Sequence, residues 1–175
     1  EEAVSDHMDF SKPPSMKAGC LFIEQEMSPR QMKTRALAMQ GFDDSIIYWG
    51  IGDGVSIRDS KWREMVEDFV VINNIKLIIL DPFTAISNMK DENSNAEANV
   101  VMNIIRKSFV DSFRECTVIF LHHPAKGDDS GHNLRGAGDI LGKCDVHIAL
   151  EKTNPKERIV EVRYEKNRDV DDAII

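Results

Sequence analysis

The sequence predicts an α/β fold built on a mostly parallel sheet. Three observations carry this. Short apolar runs of strand length alternate with amphipathic stretches of about ten or more residues, the pattern of βαβ units. The runs are near-continuous rather than alternating, as in strands covered on both faces. Polar residues with chemical potential sit at the carboxyl ends of those runs, where open parallel sheets bind ligands.

The 175 residues suffice for one sizeable core, and 42% hydrophobic with 30% charged is ordinary globular composition. No run approaches the roughly 18 apolar residues of a membrane helix, and no signal peptide is evident, so an intracellular, cytoplasmic protein without a membrane partner is expected. Cys20, Cys116 and Cys144 are odd in number and form no C-x-x-C pair, which argues against a zinc site or a disulfide framework. With 22 basic and 30 acidic residues the formal net charge is -8, which disfavours broad, non-specific nucleic-acid affinity but leaves room for a local basic loop. The sequence begins Glu1-Glu2-Ala3, so a processed chain or a piece of a longer one is expected.

Residues 1–19, with Pro13 and Pro14, read as an irregular lead-in. Cys20 to Ile23 is a buried strand running out at Glu24-Gln25-Glu26. Ser28 then caps a helix with Pro29 at its first position, Met32, Ala36 and Met39 on one face, and Gly41 as its stop. Ile46 to Trp49 is a second strand, leading into a loop with Gly50, Gly52 and Gly54. Ser60 is placed to cap the next helix, whose stripe is Trp62, Met65, Val66, Phe69 and Val70. Lys76 to Leu80 is a strand ending at Asp81-Pro82, and the polar stretch from Ser87 to Asn95 predicts a mobile loop. The following helix presents Val100, Ile104, Ile105, Phe109 and Phe113. Thr117 to Leu121 is a buried strand ending at His122-His123-Pro124, and the Gly- and Asp-rich stretch Lys126 to Arg135 predicts a flexible loop. A short helix near Gly136 to Gly142 leads to a strand from Val146 to Leu150. Asn154-Pro155 marks a turn, and Arg158 to Glu165 alternates like an exposed or edge strand.

Four strand ends carry candidate chemistry. Ile78-Ile79-Leu80-Asp81 has the form of a Walker B strand, whose carboxylate orients a hydrated Mg²⁺ beside phosphates; its plainer reading is a turn-forming Asp. Glu26 is positioned to polarise an attacking water, or simply to favour a helix start, and Glu24 points to the same face and competes for the role. Either His122 or His123 can hydrogen-bond a γ-phosphate, although adjacent strand residues face opposite sides and one of the two can equally pack under the sheet. Lys166 and Arg168 present two cations on one side, suited to phosphate; the alternative is a solvated strand end.

Taken in series, these segments resemble one family. Phe22-Ile23-Glu24-Gln25-Glu26-Met27-Ser28 is similar to the strand and Glu-Met-Ser turn of DnaB-type replicative helicases, and Leu77 to Pro82 to their Walker B strand. Phe120 to Lys126 resembles the His-His sensor of plasmid-encoded RepA-type hexameric helicases, and Leu134 to Ile140 the Arg-Gly segment after their DNA-facing loop. Tyr164-Glu165-Lys166-Asn167-Arg168 resembles the terminal Lys-x-Arg finger of the DnaB-type proteins. The resemblance covers roughly residues 18 to 170.

It implies a RecA-like three-layer sandwich of the AAA family of ATPases, with residues 20–170 as a partial ATPase domain and 171–175 as a tail. It implies ATP and Mg²⁺ as cofactors, Asp81 holding Mg²⁺ through water, Glu26 as base, and His123 or His122 as sensor. Lys166 and Arg168 would act in trans within a homo-oligomer, a hexameric ring. Arg135 and Lys126 would contact single-stranded DNA. No G-x-x-x-x-G-K-[ST] occurs in the sequence, so the first strand and the P-loop are expected to be missing. ATP binding by these residues alone should be weak. Two other readings remain: a non-catalytic RecA-like module that binds a partner or active subunits, and a metal-dependent hydrolase using Asp81, His122, His123 and Asp128 or Asp129.

Overall fold

A computed structural model of the chain describes residues 19–38, 46–50, 55–91, 94–111, 116–123, 137–154 and 159–168. Six strands and five α-helices occur among them, in the order β1 (Gly19–Glu24), α1 (Pro29–Ala38), β2 (Ile46–Gly50), α2 (Ser60–Ile72), β3 (Ile75–Asp81), α3 (Phe83–Ser87), α4 (Asn95–Ile105), β4 (Thr117–Phe120), α5 (Ala137–Lys143), β5 (Val146–Asn154) and β6 (Ile159–Asn167). A π-helical turn, Arg106–Val110, extends α4. The chain divides into two compact units, Ala18–Lys143 and one containing the segment from Cys144 onward.

The first unit is organised by a four-stranded sheet in the order β2-β1-β3-β4, with every described pairing parallel. This is the expected mixed α/β architecture with a parallel sheet, consistent with a RecA-like sandwich. Register pairs Leu21 with Ile78 and Ile23 with Leu80, and all four side chains are fully buried. The opposite face of these two strands runs Phe22–Ile79 and then Glu24–Asp81, and Phe22 and Ile79 there are half-buried. An apolar run alone does not distinguish one-sided from two-sided burial. β4 differs more from expectation. Ile119 and Leu121 are exposed, while Val118 and Phe120 on the other side of the strand are half-buried.

The helices follow their sequence signals with local shifts. Ser28 and Gln31 form a reciprocal cap: the Gln31 side-chain oxygen accepts from the Ser28 N–H at 2.9 Å, while Ser28 Oγ accepts from the Gln31 N–H at 3.4 Å. The helix agrees with expectation to Ala38, and Met39, Gln40 and Gly41 lie outside the described residues. Asp59, rather than Ser60, caps α2, accepting from the N–H groups of Lys61 and Trp62 at 2.9 and 3.4 Å. A carboxylate one residue earlier reaches the orphan donors that Ser60, already helical, does not. The buried stripe narrows to Trp62, Val66 and Val70, with Met65 exposed. On α4 it is rotated by one position. Ala98, Val101, Met102, Ile105 and Phe109 are buried while Val100 is exposed, and Phe113 lies outside the described residues.

Residues 87–95 were expected to form a loop, and part of this stretch is tied down. Arg58 donates to the Ser87 carbonyl at 3.3 Å and pairs with Glu97 at 2.8 Å. Glu97 also accepts from the Lys90 N–H at 3.0 Å. The five-residue helix α3 was not anticipated, being too short to show a period.

The second unit is an antiparallel hairpin, β5-β6. The strand starting at Val146 therefore joins β6 in a two-stranded sheet of its own. Its sequence already departs from a continuous apolar run: His147 and Ala149 alternate with Val146, Ile148 and Leu150. Such a two-residue period suits a hairpin with unlike faces. Arg163 pairs with Glu151 at 2.6 Å across this hairpin, with Glu161 and Glu165 each at 3.8 Å.

Candidate functional site at the carboxyl ends of the parallel strands

Parallel strands in register bring their last residues onto one edge. Glu24 and Asp81 are direct partners at the ends of β1 and β3. The peptide chain stitches this edge further. Gln25 N–H donates to the Asp81 carbonyl at 2.9 Å, and Leu121 N–H donates to the Leu80 carbonyl at 2.9 Å. Leu121 in turn accepts from the Phe83 N–H at 2.7 Å. The residues that follow β4 are thereby held beside the end of β3.

Glu24 is the buried acid of the group, 1% exposed. Its Oε1 accepts from the backbone N–H groups of Glu26 and Met27 at 2.6 and 3.0 Å. Glu24 is thus held in the turn, while the Glu26 side chain is 56% exposed. His123 Nε2 lies 3.7 Å from Glu26 Oε1, an ion pair whenever the imidazole is protonated. His122 instead stands against the Phe83 ring, with centroids 5.5 Å apart and planes tilted by 48°. Phe83 also meets Phe120 at 4.9 Å. The adjacent histidines thus serve two environments, as alternating strand geometry requires.

Asp81 has a carboxyl pushed up to about 6. Burial is the largest cause; the charge of Glu24, a hydrogen bond to Glu24 and the charge of Glu26 add to it, and His123 opposes it. Carboxylates in such numbers, with so little positive charge among them, suit an oxygen-seeking divalent cation. Among the described residues no group of three or more His, Cys, Asp or Glu is arranged to hold a metal directly. The described donors therefore do not form a closed protein cage for an ion.

Of the other sequence candidates, Lys166 and Arg168 belong to the second unit. Lys166 is on β6 opposite His147. Arg168, just past β6, pairs with Asp145 at 3.1 Å and donates its own N–H to the Asp145 carbonyl at 3.1 Å. Lys126, Asp128, Asp129 and Arg135 are outside the described residues. Sequence reasoning offered Glu24 only as a competitor for the role of Glu26, not as the acceptor that holds the turn. The signal available was its position, in register with Asp81 and two residues before Glu26, which only the pairing of β1 with β3 makes legible. Of the three free cysteines, Cys116 is buried and Cys20 and Cys144 half-buried. Burial raises all three thiols, that of Cys144 to about 11.

An open parallel sheet with acids at adjacent strand ends places them where α/β folds bind their ligands. A family model described as "AAA domain" matches residues 10–129, and the chain belongs to that family. It is an ATPase-type module of a family that generally uses nucleotide and Mg²⁺. No curated protein matches the sequence. Among the described residues no helix is long and apolar enough to cross a membrane.

Proposed function

We propose that the chain carries the hydrolytic face of an ATPase that acts on DNA, of the replicative hexameric helicase type. One observation carries the reading: Glu24, Asp81, Glu26 and His123 converge at the ends of the adjacent strands β1, β3 and β4. In this assignment Asp81 orients Mg²⁺ through its waters. The exposed carboxylate of Glu26 takes the proton of the attacking water. His123, rather than His122, faces the γ-phosphate, because His123 lies beside Glu26 while His122 packs on Phe83. When bound, ATP and Mg²⁺ supply the scissile phosphoanhydride and the charge neutralisation it needs.

The finer assignments rest on the sequence resemblance. Lys166 and Arg168 reach phosphate on a neighbouring subunit of a ring, and Arg168 must leave Asp145 to do so. Arg135 and Lys126 contact single-stranded DNA. The protein works in the cytoplasm. A P-loop has to be supplied by residues other than these 175, since none of them forms a G-x-x-x-x-G-K-[ST] run.

The test is phosphate release by the protein with its native flanking sequence, with and without single-stranded DNA. Glu26→Gln should lower kcat by about a hundredfold or more, within the range of lost general-base catalysis, while the protein stays folded. Hydrolysis at the wild-type rate by that variant would overturn the assignment.

A further inference from the structure

The Glu24 carboxylate has no path to solvent, yet it is not an idle buried charge. Its Oε1 receives two consecutive backbone N–H groups, from Glu26 at 2.6 Å and Met27 at 3.0 Å. These belong to the residues between the end of β1 and the Ser28 cap of α1, where neither strand nor helix supplies an acceptor. The same residue is in register with Asp81 across the sheet, and its carboxylate stands close enough to raise the Asp81 carboxyl. A single side chain therefore links the turn that displays Glu26 to the strand that displays Asp81.

We propose that Glu24 is a positioning residue: its buried carboxylate fixes the Glu26–Met27 turn against the end of β3 and so sets where the Glu26 side chain stands relative to Asp81. Every contact needed lies within the first unit, and none depends on a bound ligand. Gln25 supports the arrangement, donating through its backbone to the Asp81 carbonyl and through Nε2 to the Val55 carbonyl, both at 2.9 Å. Those bonds anchor the residue before Glu26, but only Glu24 accepts from Glu26 itself among the described contacts. The catalytic part of the proposal rests on the ATPase reading above; the conformational part does not.

The two parts are tested separately. Residue-resolved amide exchange on the chain measures the turn directly. Glu24→Ala should speed exchange at Glu26 and Met27 by about tenfold or more, as expected when charge-assisted hydrogen bonds are lost, with β3 amides unchanged. Glu24→Gln keeps an acceptor oxygen and should stay within about threefold of wild type at both amides. Unchanged exchange in Glu24→Ala would overturn the proposal whether or not the protein is an ATPase. Should Glu24→Ala fail to fold, Glu24→Gln and Glu24→Ser decide it. Ser is too short to reach both donors, so equal protection in the two variants would overturn the proposal.

The second measurement is steady-state hydrolysis by the protein with its native flanking sequence, where Glu26→Gln first establishes whether the ATPase reading holds. Given that it does, Glu24→Ala should lower kcat by roughly 10–100-fold with KM for ATP little changed, as misplacement of a catalytic group does. Glu24→Gln should restore most of the rate. A rise in KM with unaltered kcat, or a Gln variant as slow as Ala, would show that Glu24 acts on ion or nucleotide binding instead of on the turn.

Discussion

Replacing Asp81 by Asn should make the protein more stable while removing the charge proposed to orient Mg²⁺. The Asp81 carboxyl rises from 3.8 to about 6, a shift of roughly 2 units. At about 1.36 kcal/mol per unit this corresponds to at most ~3 kcal/mol held against the ionised form. The side chain keeps contact with water, and screening reduces the figure to about 1–2 kcal/mol. Because the native carboxyl binds its proton more tightly than the unfolded one, its contribution is most favourable below pH 3.8. It is lost progressively as pH rises towards about 6, and above that the full penalty is present. Asn cannot ionise, and its amide can donate to Glu24 as the protonated carboxyl does. Its advantage should therefore be small near pH 4.5 and greatest at pH 7.5. For a chain of this size, 1–2 kcal/mol shifts Tm by about 3–6 °C. Thermal unfolding followed by circular dichroism across that pH range, without divalent ions, checks the expectation. A lower Tm for Asp81→Asn at pH 7.5, or a gain of equal size at both ends, would refute the electrostatic reasoning.

Two further substitutions probe the frame that holds the site. A Cβ at Gly19 would lie 2.8 Å from Ile75 Cδ1 and 3.2 Å from the Asn73 carbonyl oxygen. Gly19→Val should therefore cost about 1–3 kcal/mol by overpacking, read as a lower urea midpoint with an unchanged slope. Asp59→Ala removes the side-chain acceptor for the N–H groups of Lys61 and Trp62. It should cost about 1 kcal/mol, and Asp59→Asn should recover most of it; equal losses for Ala and Asn in chemical denaturation would mean that capping is not the cause.

The local elements were legible because their signals are local. Ser28-Pro29 announced α1, and the run before Asp81 announced β3. The sequence was less informative wherever the decisive partner is distant. Nothing around Ser60 says that Asp59 is the acceptor actually aimed at the helix, and nothing in the α4 stripe says that Val101 faces inward rather than Val100. The separate surroundings of His122 and His123 appear only once Phe83 and Glu26 are in place. Glu24 and Asp81 are 57 positions apart, so their pairing follows from strand order, which no local pattern encodes. The hairpin was half visible. The alternation in β6 marks an exposed or edge strand, whereas the strand expected from Val146 to Leu150 carries no sign that β6 is its partner.

Leu121 gives both its backbone groups to the stretch around Asp81, and Gln25 returns to the Asp81 carbonyl from the other side. Three strand ends are thus joined along one line of peptide hydrogen bonds before any ligand arrives. A surface joined in this way has little freedom left to surrender on association, so most of the entropy change there should come from water. Calorimetry of a cation or nucleotide at this edge should accordingly report a heat-capacity change in proportion to the small area covered. The far larger change that accompanies a chain folding around its ligand should be absent.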